Sequence, residues 1–223
     1  TYMRFFVLKE LGKSEAKALY LDADTMALGN VVELLEKDFA GNLFYAVENP
    51  GFNRHRELGI PEGQPYFNAG LMFVDLSKWT KLNITDKVVS FIEQNPAELF
   101  KLVDQDALNA VLYDSWKMVG PEWNFQRKYW HALQLRSDYS QEDIAKSRRS
   151  PQIVHFNGRS KPWATPFLAE KRFGQAYLQF ADWSPWGFEN VKRKPIKECL
   201  GELLRYPAAR AKRAFLLITG KAI

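Results

Sequence analysis

Apolar positions in this chain alternate between helical spacing and short unbroken runs, and the switches between the two mark out its elements. Met3 to Leu11 has helical character and ends at Gly12, before a polar break. Ala18-Leu19-Tyr20-Leu21 predicts a buried strand that runs into Asp22-Ala23-Asp24. Asn30 is placed to cap a short helix through Leu34 and Leu35 towards Phe39, and Phe44-Tyr45-Ala46-Val47 predicts a second strand. Leu71 to Val74 predicts a third, entered through Asn68-Ala69-Gly70, small residues that let a ligand approach the backbone. Thr85 caps a predicted helix through Val88, Val89, Phe91 and Ile92, stopped by Asn95-Pro96. Asp104-Gln105-Asp106 opens another, with Leu108, Val111 and Leu112 on one face. Ser137 to Ser150 is polar, an exposed helix or loop, and Ile153 to Phe156 predicts a last strand. Alternating strands and helices predict an α/β fold with a largely parallel sheet flanked by helices. Ligands of such sheets bind beyond the carboxyl ends of the strands, where Asp22 and Asp24 are expected.

Composition narrows the class. A chain of 223 residues, 46% apolar, has room for one good core and an appendage. No run of 18 apolar residues occurs, which excludes a spanning helix, and Thr1-Tyr2-Met3-Arg4-Phe5 is not a signal peptide. The missing initiator Met predicts a fragment or a truncated frame. Cys199 is the single cysteine, so an internal disulfide framework and a Cys-based zinc cluster are excluded, and a reducing, cytosolic compartment is expected. The net charge of +5 is uneven: residues 191–223 carry nine Lys or Arg against Glu198 and Glu202, so the cationic excess belongs to the tail and the body is near neutral.

Three places carry candidate chemistry. Asp22 and Asp24, spaced i, i+2, would point to one side of a strand and offer carboxylate oxygens to a hard divalent cation, or they form an ordinary polar loop. Asp104 and Asp106 stand in the first turn of a helix, where dipole complementarity accounts for one of them and leaves the pair with Gln105 between them unexplained. His155, at a strand end before Gly158 and Lys161, has the parts of an anion site, a turn amide and an ammonium, or is a satisfied structural histidine. The loop from Asn49 to Pro65, rich in Gly, Pro and charge, is either a mobile flap or a solvated surface loop. Trp123-Asn124-Phe125 reads as core packing.

The blocks YLDADT, YFNAGLMFVDLSKW, DQDALN, WNF and HFNGRSKPW, in this order and spacing, resemble the retaining glycosyltransferases of family eight, which include glycogenin and the bacterial lipopolysaccharide galactosyl- and glucosyltransferases. The resemblance covers roughly residues 1–190, and Trp183-Ser184-Pro185-Trp186 with the basic tail is similar to the lipopolysaccharide branch. It implies a GT-A type nucleotide-diphospho-sugar transferase fold with a mainly parallel sheet flanked by helices. The family's preceding segment, with the first strand and the loop that cradle the uridine, is expected to be missing from this chain, so weak or absent donor binding is expected if Thr1 is the true start. It implies Asp22, Asp24 and His155 as ligands of Mn²⁺, or Mg²⁺, and Gly158 and Lys161 as holders of the donor diphosphate. Asn68, Ala69, Asp104 and Gln105 match positions around the transferred sugar, and Arg4 looks like the family's arginine at the donor sugar.

Such chemistry requires stabilisation of a diphosphate leaving group beside an oxocarbenium-like sugar. Retention needs either a carboxylate nucleophile or attack from the leaving-group face. The amide of Gln105 is a poor nucleophile, so front-face substitution is expected, with Asp104 positioning hydroxyls and Gln105 lending its carbonyl; Asp106 stands as the alternative nucleophile. The implied activity is transfer of glucose or galactose from a UDP-sugar to a glycan or lipid-linked acceptor such as lipopolysaccharide core.

The expected organisation is a catalytic domain over residues 1–190 and a basic amphipathic tail over 191–223. In the tail, Ile196, Cys199, Leu200, Leu203 and Leu204 form an amphipathic stripe beside Lys192 to Lys194, which suits an anionic membrane surface or docking on the domain. The expected location is the inner face of the cytoplasmic membrane; with no binding motif beside the charge, nucleic acid is not an expected partner. Two other readings are a non-catalytic remnant that binds a membrane or partner, and a metal-dependent hydrolase of nucleotide diphosphates.

Overall fold

The strand β4 (Phe67–Asp75) lies at the centre of the fold, with eight successive positions buried. A strand covered on both faces has no need to alternate apolar and polar residues, which is why Leu71 to Val74 reads as an unbroken run. The computed structural model describes residues 2–131, 136–158, 161–163 and 171–185, in two compact units, Thr1–His155 and Phe156–Ile223.

Around β4 a four-stranded sheet has the order β1 (Lys17–Leu21), β4, β3 (Phe44–Glu48), β5 (Trp116–Met118). β4 is antiparallel to both β1 and β3, and only β3 and β5 run parallel. A second sheet, of order β2 (Thr25–Ala27), β7 (Ile153–His155), β6 (Phe125–Gln126), pairs β2 antiparallel and β6 parallel to β7. The α/β layering stands, but among the described strands the expectation of a mainly parallel sheet is corrected to a mixed one. An apolar run reports burial on both faces and carries no information about direction.

Helices α1 (Met3–Leu11), α3 (Leu76–Lys81), α4 (Ile84–Glu93) and α5 (Asp104–Leu112) contribute Phe5, Leu8, Trp79, Val88, Leu108 and Leu112 to the core against Phe44, Phe67, Met72 and Val74. Phe44 and Trp116 close on Phe67 at ring-centroid distances of 5.0 and 5.2 Å, and a fully buried side chain such as Phe44 or Phe67 contributes about 2–3 kcal/mol. Thr85 does not cap α4, as expected from its position. It lies inside the helix and buried, accepting from Trp79 Nε1 and donating to the Phe5 carbonyl, while Asn83 occupies the cap with φ 51°. Asn30 does accept from the Val32 N–H ahead of the short α2 (Val32–Leu35).

The loop from Asn49 to Pro65 is seated on the body by a small apolar cluster, against which Leu99, Ala110 and Tyr113 pack. Leu58 and Ile60 are buried with Tyr66, and Phe52 stacks on the Tyr66 ring at 3.5 Å. The polar 137–150 stretch contains α7 (Gln141–Arg149), whose N-cap Ser140 accepts from Asp143 N–H. It follows the short α6 (Arg127–His131). In the second unit, α8 (Lys171–Trp183) places Tyr177 against Phe156 and Trp163. The tail at 191–223 lies outside the described residues, as does Trp186.

Candidate metal and donor site

Asp22 and Asp24 follow the end of β1, in the turn that leads to β2, and not on one face of a strand as their spacing suggested. Thr25 closes that turn: its N–H and its Oγ1 both donate to the Asp22 carbonyl. What brings His155 to them is the second sheet. Thr25 pairs with His155, so the residue before β2 and the last residue of β7 meet across the ladder. His155 Nε2 lies 3.0 Å from Asp24 Oδ1 and 3.8 Å from Asp22 Oδ2, and one ligand atom from each of the three residues falls within 4.8 Å of the others.

The imidazole is held from the other side by a chain of amides whose polarity is fixed at its start. Gly70 N–H donates to Asn68 Oδ1, so that atom is an acceptor. Asn124 Nδ2 also donates to it, which turns Asn124 Oδ1 towards His155 Nδ1 at 2.9 Å. A carbonyl oxygen can only accept, so Nδ1 carries a proton, and Nε2 is the ring nitrogen that faces the carboxylates. Gly70 is required here: a Cβ on it would stand 2.2 Å from His155 Cε1. The close approach predicted at this glycine is made by the imidazole. Two carboxylates, and an imidazole whose other nitrogen donates to a carbonyl, form a donor set that fits a hard or borderline divalent cation.

Arg4 sits behind the carboxylates, buried. Nη1 donates to the Ala69 carbonyl at 2.5 Å, Nη2 to Asp22 Oδ1 at 3.1 Å, and Nε lies 2.5 Å from Asp104 Oδ2. The last is a close charge contact without hydrogen-bond alignment, since both atoms lack a hydrogen-bond partner of good geometry. Its guanidinium carbon also lies 4.3 Å from the Tyr20 ring centroid, and Tyr20 OH donates to Asp22 Oδ1. Burial pushes the Asp104 carboxyl up, against the opposing pull of Arg4; burial pushes the Tyr20 phenol up as well, so it stays a donor.

Gln105 joins this group. Its Oε1 accepts from Asn68 Nδ2 at 3.1 Å and from Ala69 N–H at 3.0 Å, so both carbonyl lone pairs are engaged. Asp106 is fully buried, and its two oxygens are taken by Tyr66 OH at 2.6 Å, Arg54 Nη1 at 3.0 Å and Leu102 N–H at 2.8 Å. The last bond spans Val103, a β-branched residue at φ 53° that enters α5 in the left-handed region.

The structure thus brings together Arg4, Asp22, Asp24, Asn68, Ala69, Asp104, Gln105 and His155, and gives Asp106 partners on the loop side. Gly158 and Lys161 belong to the second unit. Gly158 has φ 92°, and Lys161 Nζ donates to the Phe156 carbonyl at 2.8 Å and lies 5.8 Å from the Trp163 ring centroid. Asn124, Tyr20, Tyr66 and Arg54 are members that the sequence reading missed. For Asn124 the block Trp123-Asn124-Phe125 carried a signal, an amide between two aromatic residues that core packing does not explain.

The model of glycosyl transferase family 8 matches residues 1–165. General stress protein A of Bacillus subtilis is 34% identical over 80% of this chain and 64% of its own length. The lipopolysaccharide 1,3-galactosyltransferase of Salmonella typhimurium is 29% identical over 83% of this chain and 55% of its own. The lipopolysaccharide 1,2-glucosyltransferase of Escherichia coli is also 29% identical, over 73% and 48%. The chain therefore spans about half to two thirds of the length of these relatives. Among solved structures, the bifunctional glycosyltransferase WbbM in its apo form has a TM-score of 0.69 at 19% identity, covering 84% of this chain and 36% of its own. The galactosyltransferase LgtC, solved with donor and acceptor sugar analogues, has a TM-score of 0.66 at 20% identity, covering 89% of this chain and 70% of its own.

Proposed function

This chain belongs to glycosyl transferase family 8, with the GT-A type fold of its structural neighbours, and on that premise we propose that it is a retaining hexosyltransferase using a UDP-sugar. The observation that carries the reading is the convergence of Asp22, Asp24 and His155. These residues would hold Mn²⁺, with Mg²⁺ as the alternative. When bound, the cation supplies Lewis acidity to the diphosphate leaving group.

The chain's own residues do the rest. Arg4 neutralises Asp22 and Asp104 from behind and holds both where they meet the donor side. Gly158 and Lys161, in the second unit, are assigned to the donor phosphates by the family resemblance alone. Asp104 and Asn68 orient sugar hydroxyls. Gln105 braces Asn68 and the Ala69 N–H, and its carbonyl meets the sugar carbon only when one of those donors is released. The engagement of both Asp106 oxygens supports its role as a brace and argues against a nucleophile, which favours attack from the leaving-group face.

The transferred sugar is glucose or galactose, and the acceptor is a glycan of the lipopolysaccharide-core kind, a reading supported by relatives named as lipopolysaccharide galactosyl- and glucosyltransferases. The basic 191–223 tail would hold the enzyme on the anionic inner face of the cytoplasmic membrane, at about 1 kcal/mol for each cation near the surface. Incubation with UDP-glucose and UDP-galactose in Mn²⁺ tests the proposal. Release of UDP with an α-anomeric product supports it; no turnover of either sugar, or release of UMP in place of UDP, contradicts it.

A further inference from the structure

Gln105 has a second attachment, at its amide nitrogen, and it leads out to the 49–65 loop. Gln105 Nε2 donates to Tyr66 OH at 3.4 Å, and Tyr66 OH donates to Asp106 Oδ1 at 2.6 Å. The other Asp106 oxygen is held by Arg54 Nη1. Arg54 is three-sided: Nε donates to Glu57 Oε2 at 2.8 Å and Nη2 to the Leu99 carbonyl at 2.7 Å. Its side chain is 13% exposed and that of Asp106 is fully buried, so this is a desolvated ion pair between a loop residue and α5.

Proton direction along this chain is not free. A carboxylate only accepts, so the Tyr66 hydroxyl must spend its single proton on Asp106 and turn a lone pair towards Gln105. That lone pair requires an N–H donor, which puts Nε2 of the Gln105 amide on the Tyr66 side and Oε1 on the Asn68 and Ala69 side. Burial and the Asp106 charge both push the Tyr66 phenol up, which keeps the proton in place.

We propose that Arg54 is a positioning residue for the transfer step: through Asp106 and Tyr66 it fixes the orientation of the Gln105 amide, and it ties the seating of the 49–65 loop to the geometry of the sugar side of the site. The proposal rests on the transferase reading for its kinetic consequence only. A loop that lifts away takes Arg54 with it, leaves Asp106 buried without its counter-ion, and releases Tyr66 and Gln105 from a single orientation. The seating of Arg54 and the orientation of the Gln105 amide are then coupled.

The test uses Tyr66→Phe, which retains the stack on Phe52 and the Arg54–Asp106 pair while removing the hydroxyl, together with Arg54→Lys and Arg54→Met in the full chain. Expected for Tyr66→Phe are a drop in kcat of about tenfold with the donor KM within about twofold, and exchange of the Ala69 amide proton faster by about tenfold, since its acceptor is no longer held. Arg54→Met should give the same two signatures, and Arg54→Lys, which restores one donor and the charge, should recover part of each. A kcat and an Ala69 exchange rate both unchanged in folded Tyr66→Phe overturn the proposal. If the wild type turns over no UDP-sugar, the transferase reading fails on its own, and Ala69 exchange alone decides the positioning network.

Discussion

His155 Nδ1 donates to Asn124 Oδ1 over 2.9 Å, and this bond decides which ring nitrogen faces Asp24. The orientation is inherited from the backbone, because Gly70 N–H fixes Asn68, Asn68 fixes Asn124, and Asn124 fixes the imidazole. Asn124→Ala removes the last link. Affinity for Mn²⁺ should fall by about 10- to 100-fold, the usual cost of losing a partner behind a ligating histidine. Titration calorimetry against the wild type reads it, and an unchanged dissociation constant would show that the ring is held by other means.

Gly70→Ala tests the same ring from its other side. The added Cβ would meet His155 Cε1 at 2.2 Å and Asn68 Oδ1 at 2.8 Å. Neither group is free to swing, since His155 Nδ1 is bonded to Asn124 and the Asn68 amide is engaged at both ends. The expected outcome is loss of Mn²⁺ affinity by at least as much as Asn124→Ala, with a lower thermal midpoint. A variant with wild-type affinity would mean that the strand and the ring are not in this close contact.

Arg4→Met leaves Asp104 with 4% of its side chain exposed and no counter-ion at Nε distance. Breaking a buried pair from one side costs about 3–5 kcal/mol, which for a chain of this size lowers the thermal midpoint by roughly 10 °C. Arg4→Met combined with Asp104→Asn should recover much of that loss, because the stranded charge is then gone. Recovery of nothing would argue that Arg4 acts through the Tyr20 ring and the Ala69 carbonyl instead.

Glu48 gives a pH dependence away from the proposed cation site. It is buried beside Tyr129 and Tyr139, and burial pushes its carboxyl up in spite of donation from Ser137 Oγ and Asp138 N–H. The folded state therefore binds this proton more tightly than the unfolded chain, and stability from this group falls as pH rises from the ordinary glutamate range through its folded value. Glu48→Gln removes that slope. Thermal midpoints from pH 4 to pH 8 should show the variant gaining on the wild type as pH rises; a gap that is constant or narrows contradicts the assignment.

Much of this architecture was legible in the order of residues, for reasons that differ by element. The runs Ala18 to Leu21, Phe44 to Val47 and Leu71 to Val74 predicted strands because burial leaves its mark locally, and all three lie within β1, β3 and β4. Their directions were hidden, because pairing such as Tyr20 with Met72 is set by residues far apart in the chain. Asp22, Asp24 and His155 stood out by chemical type in recognisable blocks. Asn124 and Tyr66 did not, since an amide and a phenol become informative only once the network they join is in place. Asp106 looked reactive beside Gln105, yet Arg54, 52 positions earlier, occupies it.

The central claim is that Asp22, Asp24 and His155 act as one cation site serving a UDP-sugar. Mn²⁺ binding followed by calorimetry in the presence and absence of UDP, for wild type, Asp24→Ala and His155→Ala, tests it most directly. One Mn²⁺ site that is tightened by UDP, and weakened by about 100-fold or more in each variant, is the predicted result. Equal Mn²⁺ affinity in wild type and Asp24→Ala, with no response to UDP, would contradict the account.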